Sequence, residues 1–436
     1  MWYMTSDKKV LVLGGGIAGI QASLDLANTG YEVYLVEKTP SIGGRMAQLD
    51  NIFPTLEPSM KLLMPKMMEV LGHANIKLFT NSEVTEFDGT AGNYEVTVSR
   101  RPRYVDEERC TGCGKCIEVC PVNVPDEFNL GLRLTKAISL YSSYAIPKVA
   151  IINPKYCLRL SGKEECDRCF KVCEPKAINF EQKTEDLKLK VGAVILAVGA
   201  DIFDASKAVE FGYGRLKNVI SHMELERILE TTGPTDGRIL CPHSGNTPKS
   251  IVFVLCVGCR DKRFYSHCCN VGCMVSIKQA ITVKERLGED VDIYVCFNDI
   301  RAFGRNYEEF YEKARDLGIN FVAGIPAEVR ESPDGTLYVG VYEKILNRLL
   351  EIKADLVVLI SGVVPKEDYG RISQIFKIPL GPDGFFLEAH PKLRPFESPL
   401  AGVYLAGACQ GPKSIAETVA QASGAAAKVM ALLAKM

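Results

Sequence analysis

Lys9-Val-Leu-Val-Leu13-Gly-Gly-Gly16-Ile-Ala-Gly19 opens the first recognisable unit of the chain. The five residues from Lys9 to Leu13 read as a short buried strand. Gly14, Gly16 and Gly19 follow at G-x-G-x-x-G spacing. Ile20 to Asn28 reads as a helix, and Glu32 to Val36 as a second strand ending at Glu37. This is a complete βαβ unit, the frame in which that glycine spacing becomes informative. Gly14 permits the tight turn, Gly16 lets a pyrophosphate approach the backbone, and Gly19 lets the helix pack on the strand. The helix N-terminus then faces the phosphates. Glu37, followed by Lys38, is placed to accept the adenosine ribose hydroxyls, and a carboxylate there argues against a 2′-phosphate.

Working outward, Ile42-Gly43-Gly44-Arg45 is similar to the Gly-Gly-Arg segment of FAD-dependent disulfide-reductase-like proteins. The resemblance implies FAD rather than NAD, with Gly44 and Arg45 beside it. Val191 to Gly199 (VGAVILAVG) resembles the strand that closes such domains, which brings Gly199 to the cofactor. Ala401 to Gly411 (AGVYLAGACQG), followed by a helix through Ala434, resembles their final FAD-contacting segment, with Gly407 at its centre. Many relatives carry an Asp after the Ala-Gly pair. Ala408 stands there, so the ribityl contact falls to backbone N–H groups near Gln410 and Gly411.

The chain has 436 residues, enough for two or three domains. Its net charge of -1 gives no nucleic-acid surface. Met1 to Lys9 runs into the first strand without a secretory pattern, and no apolar stretch crosses a bilayer free of charge. A soluble chain is expected. Sixteen cysteines in such a chain point to metal or redox sites rather than disulfides.

Eight of them lie between Cys110 and Cys173. Cys110-Thr-Gly-Cys113-Gly-Lys-Cys116-Ile-Glu-Val-Cys120-Pro121 is C-x2-C-x2-C-x3-C-P, the bacterial ferredoxin run. Three thiolates wrap one cubane, and the fourth Cys is carried to the other cluster. Cys157, Cys166, Cys169 and Cys173 repeat the pattern with a longer first gap. One [4Fe–4S] cluster is therefore assigned to Cys110, Cys113, Cys116 and Cys173. The second is assigned to Cys120, Cys157, Cys166 and Cys169. Two such runs in succession fit zinc poorly.

A middle stretch begins near Asn218. Ser250 to Leu255 reads as a strand, but the turn after it is Cys256-Val-Gly-Cys259-Arg-Asp261. The second G-x-G-x-x-G is missing, which counts against NAD(P)H. Cys256, Cys259, Cys268, Cys269 and Cys273 crowd that turn, reading first as a third FeS cluster and second as a redox-active thiol pair. Cys241 and Cys296 read as inert core. A helix from Met274 to Leu287 places Lys278 little more than one turn past Cys273. His243 and His267 read as structural, and no acid–base constellation is evident.

At this point the chain resembles the heterodisulfide reductase A subunit over nearly its whole length. The signatures are Val124-Pro-Asp-Glu-Phe-Asn129 with Gly131-Leu132, the turn at Cys256, and the run from Gly384 to Pro395. Ala406-Gly407, Gln410-Gly-Pro-Lys413 and Val419-Ala-Gln-Ala-Ser423 complete them. Within that family the short form most resembles the A subunit of the quinone-interacting membrane-bound oxidoreductase. The resemblance implies an FAD- and iron–sulfur-dependent oxidoreductase component that relays electrons, with Lys278 near the flavin N5. It implies a related B subunit, a haem-bearing membrane C subunit, and adenylylsulfate reductase or a ferredoxin-like protein as redox partner. The complex would sit on the cytoplasmic face of the cell membrane and serve sulfate reduction. Electron bifurcation with ferredoxin is a second implication. A free-standing NAD(P)H-dependent reductase like the small subunit of glutamate synthase is the rival, and a non-catalytic wiring component is a third reading. Two departures stand out. Gly272 replaces one cysteine of the third group, and Pro58 and Lys61 replace two cysteines of longer relatives.

The expected fold class is α/β. An FAD domain of Rossmann-like, disulfide-reductase type occupies 1–100, 183–217 and 379–436. A ferredoxin-like α+β insert takes 101–182. A degenerate nucleotide-binding-like domain with the third cysteine group takes 218–378.

Overall fold

The computed structural model describes residues 8–436, and Met1–Asp7, read above as free of a leader, lie outside them. Lys9–Leu13 is the middle strand of a five-stranded parallel sheet. The order is Val403–Leu405, Ala193–Leu196, Lys9–Leu13, Glu32–Val36, Ile76–Phe79. Strands from three distant parts of the sequence thus build one sheet, as a discontinuous flavin-type domain requires. Both faces are covered, which is why these strands read as unbroken apolar runs. Val10, Leu11, Val12 and Ala193 to Leu196 have almost no exposed surface. Each buried Val, Leu or Ile contributes about 1.5–3 kcal/mol.

The first helix runs Ile17–Asn28, starting three residues earlier than its sequence suggests. Gly16 caps it in an extended conformation, and Gly19 lies inside its first turn. A Cβ on Gly19 would stand 1.8 Å from the Gly14 carbonyl oxygen, so only glycine lets turn and helix approach this closely. The helix ends in a Schellman pair. Gly30, at a φ of 89°, donates to Ala27 O, and Tyr31 donates to Leu26 O. The closing helix, Ile415–Leu433, begins at a capping box of Ser414 and Glu417. Its fully buried Ala422, Ala425 and Ala426 share one core with the first helix.

The apolar run Val191–Gly199 divides at Gly192. Glu185–Val191 joins a three-stranded antiparallel sheet with Asn93–Arg100 and Ser82–Thr90, and Ala193–Leu196 joins the parallel one. Arg100 pairs directly with Glu185. The chain leaves the domain at one and returns at the other, and the ferredoxin-like insert hangs between them. It has its own core of Val105, Ile138, Val149, Ile152, Ala177 and Ile178.

The middle unit is a second parallel sheet, ordered Val219–Ser221, Leu356–Ser361, Ser250–Val257, Asp292–Phe297, Asn320–Ala323. Asp201–Ile202 pairs with Val363–Val364 and ties it to the unit of the first sheet. The helix Tyr369–Phe376 lies on the side of the first sheet, with Phe376 4.8 Å from Phe87 and Tyr369 4.6 Å from Phe386 between ring centres. The structural boundary therefore falls near Val364 rather than 378. The ring partners of that helix are remote in sequence. Among the described residues no helix is long and apolar enough to cross a membrane.

Candidate redox site

A cleft of about 1430 Å³, counted to its open mouth, lies at the C-terminal ends of the first parallel sheet. Open α/β sheets bind ligands at this edge. Gly14, Gly16, Glu37, Gly44, Arg45 and Gly199 all line it. Glu37 is fixed at one end: Oε2 accepts the Gly15 N–H at 2.6 Å, and Oε1 accepts the Thr39 N–H at 2.7 Å and hydroxyl at 2.8 Å. Arg45 donates to Ala200 O at 3.0 Å and pairs with Asp201 at 2.8 Å. Gly19 stands behind the lining. Lys38 lines a smaller neighbouring hollow and pairs with Asp368 at 2.9 Å. Gly407, Gln410 and Gly411 are outside the lining too. The Gly407 N–H donates to Gln421 Oε1 at 2.8 Å, and Gln410 is held by Gln421 and by Pro395 O.

Further residues complete the wall. Ala408, Lys413 and Thr418 reach it from the closing segment, and Phe128, Tyr141 and Ser142 from the insert. Lys413 has no ion-pair partner among the described residues, and burial pushes its amine below the usual lysine range. A long cleft with one carboxylate near its glycine turn and unpaired positive charge on its wall fits an extended anionic dinucleotide such as FAD.

The insert forms two further hollows. Cys110, Cys113, Cys116 and Cys173 line one of about 420 Å³. Cys120, Cys157, Cys166 and Cys169 line another of about 350 Å³. The sharing arises because each run's short helix, Lys115–Glu118 and Arg168–Val172, carries its last cysteine across to the partner hollow. The Lys115 N–H and the Thr111 hydroxyl hold the Cys113 thiol below its usual range. Burial, with the neighbouring thiols, pushes Cys116 up to about 11 and Cys169 to about 12. Among the described residues no three His, Cys, Asp or Glu side chains converge to hold a single ion. A lone zinc needs its ligands about 2.3 Å from one point, whereas a cubane spreads them around a cage.

In the middle unit Cys256, Cys259, Cys269 and Cys268 lie side by side, each perturbing its neighbour's thiol. Those contacts hold Cys269 well below the usual thiol range and raise Cys259 and Cys268. Cys273 stands aside, its thiol 3.7 Å from Asp299 O. Two glycines make room for the row. A Cβ on Gly272 would lie 2.8 Å from Cys269 Sγ, and one on Gly362 2.7 Å from Cys259 Cβ.

Lys278, on the helix Gly272–Leu287, does not line the cleft. Its buried amine pairs with the fully buried Glu226 and donates to Asn51 O at 3.1 Å. Glu226 also accepts the Asp50 N–H at 3.0 Å. The Gln48 and Leu49 that do line the cleft immediately precede Asp50. His267 bonds Val363 O at 2.9 Å.

Comparison with known proteins gives a consistent picture. Residues 103–126 match the 4Fe-4S binding domain, and residues 9–59 the FAD dependent oxidoreductase family. The iron-sulfur A subunit of the CoB–CoM heterodisulfide reductase of Methanocaldococcus jannaschii is 47% identical over 97% of this chain. The A subunit of the ferredoxin:CoB-CoM heterodisulfide reductase of Methanosarcina mazei is 42% identical over 98%. The chain spans 64% and 53% of their respective lengths. In fold it resembles thioredoxin reductases of T. acidophilum and Lactococcus lactis. Each has a TM-score of 0.53, at 14% and 13% identity, with 97% and 98% of this chain covered and 98% and 99% of theirs.

Proposed function

Since the chain is, over 97% of its length, a homologue of the heterodisulfide reductase A subunit, we propose that it relays electrons between FAD in the cleft and two [4Fe–4S] clusters in the insert. The observation that carries this reading is the arrangement of two four-thiol hollows on the same insert that walls the dinucleotide cleft. FAD would supply the exchange between two-electron and one-electron chemistry, and the clusters would take single electrons.

The chain's own work is positioning. The turn at Gly14 to Gly16 and the N-terminus of Ile17–Asn28 would hold the pyrophosphate. Glu37 would take the ribose, and Lys413 would offer a cation to the anionic cofactor. Cys110, Cys113, Cys116 and Cys173 would hold one cluster, and Cys120, Cys157, Cys166 and Cys169 the other. Lys278 would act through Glu226 and the Gln48–Asp50 segment, as a positioning residue for that part of the cleft wall. Cys256, Cys259, Cys268 and Cys269, with Cys273 beside them, are candidates for a third cluster. Cys269 fills the space that Gly272 leaves.

The sequence resemblance to the A subunit of the quinone-interacting membrane-bound oxidoreductase supports a quinone-linked complex with a B subunit plus a haem-bearing membrane C subunit. Adenylylsulfate reductase would be its redox partner, at the inner face of the cell membrane. The ferredoxin in the name of the Methanosarcina mazei relative supports ferredoxin as the alternative partner. Anaerobic purification with iron, sulfide and flavin assay, followed by EPR in a redox titration, tests the core of the reading. About eight iron atoms per chain fit two clusters and about twelve fit three. A chain without FAD refutes it.

A further inference from the structure

One stretch of the insert touches all three cavities. Ala137 and Ile138 line the hollow of Cys120, Cys157, Cys166 and Cys169. Leu140 lines the hollow of Cys110, Cys113, Cys116 and Cys173. Tyr141 and Ser142 line the cleft. One short, continuous segment therefore forms a wall with the thiol cages on one side and the dinucleotide site on the other.

Both ends of that wall are anchored. Ala137 is 2% exposed. Its N–H donates to Val122 O at 3.1 Å, and its carbonyl accepts the Asn153 N–H at 2.8 Å. On the cleft side the Tyr141 ring meets Phe128 edge-on at 5.6 Å, and the Phe128 carbonyl accepts from Gln48 at 3.0 Å. A few residues on, the Ile146 N–H donates to Ser41 Oγ at 2.8 Å, and its carbonyl accepts the Ile42 N–H at 3.0 Å. The loop after Glu37 is thus clamped between the glycine turn and the insert.

We propose that FAD and the two clusters bind cooperatively through the shared wall Ala137–Ser142. The proposal rests on the reading that the chain binds both. Binding of a metal cluster by its protein ligands contributes to the folding free energy of a small domain. Closing the cages fixes Ala137 to Leu140, and this sets Tyr141 and Ser142 against the dinucleotide. Linkage is reciprocal, so bound dinucleotide holds the cages closed by the same factor.

The test uses the whole chain, reconstituted anaerobically. FAD affinity is measured by flavin fluorescence with clusters intact and after chelator stripping. Iron release to a ferrous chelator is followed with and without FAD. Stripping is expected to weaken FAD binding at least about tenfold, within the usual range of coupling between sites. FAD is expected to slow iron release. Tyr141→Ala should weaken FAD binding to cluster-loaded protein and reduce the coupling. Tyr141→Phe keeps the ring, should keep its iron, and should lose only part of the affinity. Full FAD and iron content with an affinity unchanged by stripping, and iron release unchanged by FAD, would overturn the cooperativity alone. A chain that binds neither would overturn the underlying reading and the proposal with it.

Discussion

Replacing Lys278 by Met removes one half of a buried ion pair whose side chains are 3% and 0% exposed. Glu226 keeps the Asp50 N–H and the Gln279 amide as partners, but no cation. Leaving one buried charge unpaired costs about 3–5 kcal/mol. Urea unfolding at neutral pH followed by far-UV circular dichroism measures the loss. Lys278→Met/Glu226→Gln removes both charges and should recover most of it. A double variant as unstable as the single one would show that this pair is not the energetic unit described.

Gly19→Ala drives a Cβ against the Gly14 carbonyl, so flavin content per chain should drop at least about tenfold, the effect of roughly 1.4 kcal/mol. Gly72→Ala, with open space at the same position of its side chain, should retain the wild-type content. Cys173→Ser should abolish the EPR signal of the cluster at Cys110 and leave that of its neighbour, with iron falling from about eight to about four atoms per chain. Loss of both signals would count against independent cages. His222 accepts the Ser361 N–H on Nδ1, and burial pulls its pKa to about 4. The unfolded imidazole protonates near pH 6.5 while the folded one stays neutral, so stability should fall between about pH 6.5 and 4. A His222→Gln variant should flatten that acid limb in urea unfolding followed from about pH 7 to 4.

The glycine turn was legible because its requirements are local: Gly14 and Gly19 answer contacts a few residues away. The two four-thiol hollows were legible for a related reason, since a short helix carries each run's last cysteine across. The insert's share in the cleft was not legible. Phe128, Tyr141 and Ser142 carry no motif for a dinucleotide, and only the docking of Ile146 on Ser41 and Ile42 brings them there. Lys278 was legible as a residue but not in its setting, because Glu226 lies 52 positions away on another helix. Lys413 belongs to a family signature, yet its place on the cleft wall depends on how the closing helix packs. Tyr369–Phe376 falls on the other side of the expected boundary because its partners, Phe87 and Phe386, come from two different segments.

The pairing of Arg100 with Glu185 has a consequence for how such a protein comes to exist. The two ends of the insert emerge side by side from neighbouring antiparallel strands, a spacing that a tight hairpin could close. An ancestor could therefore have gained the whole iron–sulfur module in one event, with no rearrangement of its sheet. The reverse step is harder. Excision would restore the hairpin but strip Phe128, Tyr141 and Ser142 from the cleft. Insertion at this point leaves the sheet's topology intact, whereas excision would take part of the cleft wall with it.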